Sequence, residues 1–244
     1  MGFPARRDGE GRPGAGQVSR QLALRVGLPD LASFDNFHPG SNREAVAAIR
    51  ELACDRPGLS FLHGESGTGK SHLLYAAVKE AAAHDRPALY ASRKAVEGGS
   101  TDWLDLPGDG LTCIDDIGES LIGDEATALF SLYERVRSRS GSLILSSRVP
   151  PAAIHWVLPD LRSRVQSDLV YHLRRFSEGE LEQALRLRAG HRGMHLSDEV
   201  VRFVLNRYER GPASLFRLLD RIDTESLERK RRITVPFLKA LENE

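Results

Sequence analysis

Short apolar runs alternate with segments of helical periodicity through the first part of the chain. The runs at 59–63, 88–91, 111–114 and 142–146 have the length of buried strands, whereas 70–84 and 124–138 repeat apolar residues every three or four positions. Strands that alternate with helices predict an α/β fold with a parallel sheet wrapped by helices. Glycines and prolines interrupt the stretch 93–110, which predicts a loop.

The pattern changes from Ser177 onward to consecutive helices without strands. Helices are predicted over 177–191, 197–209, 213–228 and 234–243, and Ser177 with Glu180 forms a capping box at the start of the first. A second capping box is predicted at Ser41–Glu44. We therefore divide the chain into a disordered tail (1–20), a short peptide motif (21–26), an α/β domain (27–175) and a small helical lid (176–244).

The first apolar run leads directly into a phosphate-binding loop. The sequence from Gly64 to Ser71 has the pattern glycine, four residues, glycine, lysine, serine, between a predicted strand and a predicted helix. Such a loop aims backbone N–H groups at a nucleotide's phosphates, so its candidate binding residues are Gly64, Ser66, Gly67, Thr68, Gly69, Lys70 and Ser71. Lys70 is expected to reach the β- and γ-phosphates, and the Ser71 hydroxyl to ligate Mg²⁺. Because the loop recognises phosphates and not the base, either ADP or ATP is compatible with it.

Two adjacent carboxylates follow the third apolar run. Asp115 is expected to hold Mg²⁺, and Asp116 to orient or deprotonate an attacking water. A pair of aspartates after a strand is more often a turn or a helix cap. Its position behind a phosphate loop favours the catalytic interpretation.

Composition narrows the choice of partners and compartment. The chain has 34 basic residues (lysine and arginine) and 34 acidic residues (aspartate and glutamate), so no overall positive field favours nucleic-acid binding. Cys54 and Cys113 are predicted in a helix and in a buried strand, without metal-ligand spacing or a secreted disulfide pattern, which favours a reducing cytoplasm. No run of apolar residues is long enough to predict a membrane span.

The order of these motifs resembles the AAA+ ATPases of the DnaA branch, and within it the Hda family of regulatory inactivators of DnaA. The resemblance covers about 21–244. Besides the phosphate loop and the paired aspartates, it rests on four segments: Phe34–Phe37 with Asn42, Leu158–Arg164, Ala184–Ala189 with Arg192 and Gly193, and Ile233–Phe237. It implies an AAA+ nucleotide-binding domain followed by a helical lid.

The resemblance gives two further segments a role. Gln21, Leu22 and Leu24 match the peptide by which Hda proteins bind the sliding clamp, the β subunit of DNA polymerase III, although an edge strand is the alternative for this patch. Arg164 matches the arginine finger that is presented in trans to nucleotide on a neighbouring subunit, and Arg162 competes for this assignment. The implied partners are DnaA, the clamp, DNA reached indirectly through the clamp, and further copies of this chain, in the cytoplasm and at the nucleoid.

Two departures from the family pattern affect the expected chemistry. No carboxylate follows the run at 142–146, where Ser146, Ser147 and Arg148 stand, and Ala213 occupies the position of the lid's phosphate-sensing arginine. Arg217, one turn later, is a candidate substitute. We therefore expect a nucleotide-bound negative regulator of replication initiation with little turnover of its own, which activates the DnaA ATPase. The alternative is an autonomous AAA+ ATPase that loads a helicase or remodels a DNA complex.

Overall fold

A parallel five-stranded sheet forms the centre of the larger domain in the computed structural model, which describes residues 32–93, 108–208 and 211–242. Its strands are β1 (Gly58–His63), β2 (Ala88–Ser92), β3 (Leu111–Asp115), β5 (Ser142–Ser147) and β7 (Leu169–His172), in the spatial order β2-β3-β5-β1-β7. The short strands β4 (Ser120–Leu121) and β6 (His155–Trp156) pair separately, also in parallel.

Helices cover both faces of this sheet. Two of them, α1 (Arg43–Cys54) and α2 (Lys70–Ala83), pack on one face around Ile49, Leu73 and Leu74, and α3 (Gly123–Ser138) and α4 (Pro159–Ser167) pack on the other face. Every residue of β3 and β5 is buried, because both faces of these central strands are covered. This explains why their sequences are apolar runs and not alternating patterns.

The lid consists of four helices with a separate hydrophobic core. They are α5 (Glu178–His191), α6 (Asp198–Arg207), α7 (Pro212–Glu228) and α8 (Val235–Glu242), packed around Leu185, Val204, Leu219 and Leu238. The capping box predicted at Ser177 is confirmed, with both of its hydrogen bonds to Glu180 present. Among the described residues, no helix has the length and apolar character needed to cross a membrane.

The predicted elements are confirmed with boundaries shifted by two residues or fewer at each end, one detail is corrected, and helix α4 and strands β4, β6 and β7 were not predicted. The capping box predicted at Ser41–Glu44 is wrong, because a 3₁₀ turn over Gly40–Asn42 precedes α1 and no side chain caps that helix. Strand β7 was not predicted, since its four residues are mostly exposed at the sheet edge and lack a buried apolar run. Most of the predicted loop at 93–110 and the tail and peptide at 1–26 lie outside the described residues.

Candidate nucleotide-binding site

The phosphate loop joins β1 to α2 and needs glycine at two of its positions. Gly67 and Gly69 have φ angles of +83° and +96°, which side-chain-bearing residues rarely adopt. A Cβ atom at Gly69 would lie 2.6 Å from Cε2 of Phe37, and one at Gly64 would lie 2.5 Å from the carbonyl oxygen of Leu173. The loop is therefore shaped by close packing as well as by backbone conformation.

Lys70 opens α2 and points its side chain back into the loop. Its Nζ donates to the carbonyl oxygens of Gly64 at 2.5 Å and Glu65 at 2.9 Å. Burial lowers the pKa of Lys70, an effect that the carboxylates of Asp115 and Asp116 oppose. A buried ammonium group at the first turn of a helix, beside a ring of loop N–H groups, is an anion-binding arrangement.

The paired aspartates end β3 next to the loop, and their orientation depends on two hydroxyl groups. Tyr90 donates to one carboxylate oxygen of Asp115 at 2.7 Å, and Ser146 donates to the other at 2.5 Å. Ser146 Oγ also accepts the backbone N–H of Asp116 at 3.0 Å, and Asp116 itself has a φ of +54°. Burial and the Asp115 charge raise the pKa of Tyr90, so its hydroxyl stays a donor. One serine of β5 thus fixes both aspartates.

The loop and the aspartates face a cavity of about 400 Å³, which is within the usual range for small-molecule sites. Its described lining contains two acidic side chains, Asp115 and Asp116, and two basic ones, Lys70 and Arg148. The Arg148 Nε lies 3.9 Å from an oxygen of Asp116, so this cation is directed at the aspartate pair. The lid contributes Ala184, Pro212 and Phe216, which carry no charge.

Aromatic rings form another part of the cavity wall. Asn36, Phe37, His38 and Phe176 belong to the lining, and the Phe37 ring lies 5.3 Å from His72 and 6.3 Å from Phe176, centroid to centroid, with interplanar angles of 47° and 52°. Burial lowers the pKa of His72, whose Nε2 donates to the carbonyl oxygen of Ser33 at 2.9 Å. Aromatic faces beside a phosphate loop have the chemistry to hold a nucleotide base.

The lid is fastened to the segment that carries this wall. Glu180 of α5 accepts the N–H of Ser41 at 2.6 Å. The His191 ring nitrogen lies 3.0 Å from the carbonyl of Asp35. Just before the lid, the Arg174 backbone is also held: Asn42 donates through Nδ2 to its carbonyl at 3.1 Å and accepts its N–H at 2.8 Å through Oδ1. Contacts from the lid therefore meet the chain between Asp35 and Ser41, next to the cavity wall.

The lid arginine candidates lie outside the cavity lining. Arg217 is exposed and contacts Ser214 at 3.4 Å, so the structure gives no support to its role as a substitute phosphate sensor. The Ala213 side chain is outside the described residues. Arg188 is half-buried with its guanidinium 4.6 Å from the centroid of the lining residue Phe216, and its charge lowers the pKa of His72.

Arg164 lies on α4, away from the lining of this chain's own cavity. Its guanidinium carbon is 5.0 Å from the centroid of Phe130 and 5.9 Å from that of Tyr133, and it forms an ion pair with Glu134. Arg162 is exposed. The two candidates for the arginine finger thus differ: the aromatic rings of α3 orient Arg164, while Arg162 projects into solvent.

The structure brings together most of the predicted site residues. Those that line the cavity are Ser66, Gly67, Thr68, Gly69, Lys70, Ser71, Asp115 and Asp116, and Gly64 accepts the Lys70 hydrogen bond. The predicted clamp-binding residues Gln21, Leu22 and Leu24 lie outside the described part of the chain. Sequence reasoning missed Tyr90 and the aromatic wall, because their roles depend on contacts between residues far apart in the chain.

Comparisons with known proteins agree with this architecture. Residues 178–241 match the family model described as "Hda, lid domain". Domain III of the replication initiation protein DnaA from Thermotoga maritima superposes with a TM-score of 0.71 at 22% identity, covering 86% of this chain and 95% of that one. A DnaA replication initiator bound to AMPPCP and single-stranded DNA superposes with a TM-score of 0.65 at 21% identity, covering 84% of this chain and 69% of that one. The RuvB branch migration motor of Thermotoga maritima superposes with a TM-score of 0.61 at 19% identity, covering 86% of this chain and 73% of that one.

These matches confirm two of the expectations drawn from the sequence. The fold is an AAA+ phosphate-loop domain with a parallel sheet, followed by a small helical lid. The lid match and the likeness to DnaA domain III support the resemblance to Hda-like proteins of the DnaA branch.

Proposed function

Starting from an Hda-like lid on a DnaA-like AAA+ domain, we propose that this protein is a negative regulator of replication initiation. It binds a nucleotide, docks on the DNA-loaded sliding clamp, and stimulates ATP hydrolysis by DnaA. The observation that carries the proposal is the combination of a complete phosphate-binding cavity with an arginine, Arg164, held on α4 outside that cavity. From that position Arg164 would act on a nucleotide that another subunit binds.

The chain's own cavity fits ADP or ATP with Mg²⁺. The phosphate loop and Lys70 would hold the phosphates, Ser71 and Asp115 would hold the metal, and the aromatic wall would hold the base. Glycines at positions where a Cβ would collide with neighbouring atoms support this fit. Bound nucleotide would supply negative charge to a cavity whose loop is built for it. Equilibrium titration with ADP and ATP, with Lys70→Ala as the non-binding control, measures this step.

Turnover in this cavity is proposed to be low. Its described lining contains no acidic residue besides Asp115 and Asp116, and the Arg148 guanidinium, 3.9 Å from an oxygen of Asp116, would compete with an attacking water for that carboxylate. The lid side chains in the lining are uncharged. Bound nucleotide would then serve as a structural element whose presence sets the contacts between lid and core.

The finger proposal is tested by DnaA ATP turnover in the presence of clamp-loaded DNA and this protein. Arg164→Ala should abolish the stimulation, since an arginine finger in comparable systems contributes about 10³–10⁵ in rate. Arg162→Ala, two positions away on the same helix, is the matched control and should retain it. Stimulation that survives Arg164→Ala and disappears with Arg162→Ala would transfer the role to Arg162. No stimulation by the wild-type chain would refute the regulatory proposal.

Clamp docking through Gln21, Leu22 and Leu24 is proposed from their match to the clamp-binding peptide. Tethering raises the local concentration of Arg164 near DNA-bound DnaA without any new contact at the finger. The double variant Gln21→Ala, Leu22→Ala should lose clamp retention in a pull-down while nucleotide affinity stays unchanged. Arg25→Ala, in the same segment but not one of the three matching residues, is the control.

A self-contained ATPase that loads a helicase or remodels a DNA complex is the second candidate. The intact geometry of Lys70, Asp115 and Asp116 favours it. Strong ATP turnover by the isolated chain, lost in Lys70→Ala and accompanied by no clamp binding, would select this candidate over the regulatory one.

A further inference from the structure

A cluster of three metal-binding side chains lies far from the nucleotide cavity. Cys54 is the last residue of α1, Glu80 lies in the last turn of α2, and His84 follows the end of α2. Because α2 has 14 residues and begins at the phosphate loop, this cluster is about 20 Å from that loop along the helix axis. It is therefore separate from the proposed magnesium site of the nucleotide.

We propose that Cys54, Glu80 and His84 bind one zinc-class divalent cation. Their ligand atoms all lie within 4.8 Å of one another, and Cys54 Sγ is 3.7 Å from His84 Nε2. A tetrahedral zinc ion with bonds of about 2.3 Å to sulfur and about 2.0 Å to nitrogen would separate these two atoms by about 3.5 Å. The pair thus already has the spacing of two ligands of one tetrahedral ion.

The chemistry of the donors selects the metal class. A thiolate with an imidazole favours zinc or a related transition metal over magnesium and calcium, which prefer oxygen ligands. One thiolate and one carboxylate balance the double charge of the ion. Cys54 is half-buried, the Glu80 side chain is 24% exposed and His84 is exposed, so a hydrated ion can enter and keep one water as its fourth ligand.

Groups around the three ligands affect how well an ion would be held. Arg50 Nε contacts one carboxylate oxygen of Glu80 at 3.0 Å, which leaves the second oxygen for a metal and supplies the outer hydrogen bond that ligating carboxylates usually have. The C-terminal dipole of α2 favours a cation at this end. Arg86 bonds the carbonyls of Leu52 and Ala53 at the end of α1, so the dipole of that helix is largely neutralised.

Cobalt binding tests the site, because a cobalt–thiolate bond gives a charge-transfer absorption that oxygen and nitrogen ligands do not. The reduced, nucleotide-free full-length chain is titrated with Co²⁺ alone and then with Zn²⁺. We expect a thiolate band that saturates at one equivalent and disappears when Zn²⁺ displaces the cobalt. Cys54→Ser should remove the band, and Glu80→Gln and His84→Ala should weaken binding by about tenfold or more.

The controls separate a site from incidental binding. His195→Ala removes an exposed lid histidine and should leave the titration unchanged. Glu80→Gln and His84→Ala change exposed or partly exposed side chains, so circular dichroism of these variants should match the wild type. Absence of a thiolate band in the wild-type chain would mean that Cys54 and His84 form only a sulfur–nitrogen hydrogen bond, and would overturn the proposal. A band that persists in Cys54→Ser would assign it to Cys113 and would overturn it equally.

Discussion

Ser146 is predicted to contribute more to stability than its neighbour Ser147, although both are fully buried. The Ser146 hydroxyl donates to the Asp115 carboxylate at 2.5 Å, a distance typical of a charge-assisted hydrogen bond, and accepts the Asp116 N–H at 3.0 Å. Ser147 donates to the neutral carbonyl of Gly118 at 3.0 Å and accepts the Val149 N–H at 3.3 Å. Serine-to-alanine substitution removes the same atom at both positions, so the comparison isolates the effect of the different hydrogen-bond partners.

The magnitudes follow from the type of hydrogen bond that each variant loses. Loss of a hydrogen bond to a charged group costs about 1.5–3 kcal/mol, and loss of a neutral one costs about 0.5–1.5 kcal/mol. Each variant also leaves one backbone N–H of a half-buried residue without its serine partner, Asp116 in one case and Val149 in the other, so these two contributions largely cancel. Ser146→Ala should therefore lower the free energy of unfolding by about 1 kcal/mol more than Ser147→Ala does.

Urea unfolding followed by circular dichroism measures this difference. With a slope of about 2 kcal/mol per molar, the midpoint for Ser146→Ala should lie about 0.5 M below that for Ser147→Ala. Magnesium-dependent nucleotide affinity should fall in Ser146→Ala as well, because Asp115 loses the donor that orients it. Equal midpoints for the two variants, within about 0.2 M, would show that the carboxylate network does not stabilise the end of β3 and would refute this reasoning.

Three further predictions concern the loop, its flanking histidine and the lid. Gly69 has a φ of +96°, and a new Cβ there would lie 2.6 Å from an aromatic ring, so Gly69→Ala should reduce stability and nucleotide affinity. Gly179 faces open space within a helix, so Gly179→Ala should stabilise the fold by about 0.5–1 kcal/mol. Thermal unfolding of the two variants compares these effects. Because burial lowers the pKa of His72, the unfolded chain binds a proton below about pH 6.5 that the folded chain does not. The free energy of unfolding should therefore fall as the pH drops below that value. His72→Gln should make this pH dependence weaker when it is measured by urea unfolding. Glu180→Ala removes the capping partner and the Ser41 contact, and should speed hydrogen exchange in the first turn of α5; unchanged exchange would contradict the proposed attachment.

Most of the fold was predictable because its signals are local. The strands β1, β3 and β5 are buried on both faces and appear as apolar runs, and the glycine pattern of the phosphate loop is a property of contiguous residues. Edge strand β7 and the hydroxyl contacts of Tyr90 with Asp115 were not predictable. They depend on which segments the folded chain places side by side, and an exposed strand or a single tyrosine carries no periodic signal.

The same distinction applies to the two cysteines. Cys113 is fully buried inside β3, and burial raises the pKa of its thiol, so it behaves as a small apolar residue of the core. Cys54 has no partner nearby in sequence, yet the packing of α1 against α2 brings it next to His84. Sequence spacing finds a metal site only when the ligands share one loop or helix, and here they belong to two helices.

The position of the lid contacts suggests how nucleotide binding could reach the lid without a charged sensor. Part of the aromatic wall and the attachment points of the lid belong to one short segment: Phe37 faces the cavity, Ser41 donates to Glu180, and the Asp35 carbonyl contacts His191. A base that moved Phe37 would therefore shift the anchor of α5, even though the described lid residues in the lining are uncharged. Coupling through a wall segment depends on the base, whereas coupling through a sensor arginine depends on the γ-phosphate. ADP and ATP should accordingly produce the same hydrogen-exchange protection in α5. Protection by ATP alone would mean that the lid responds to the γ-phosphate and not to the base.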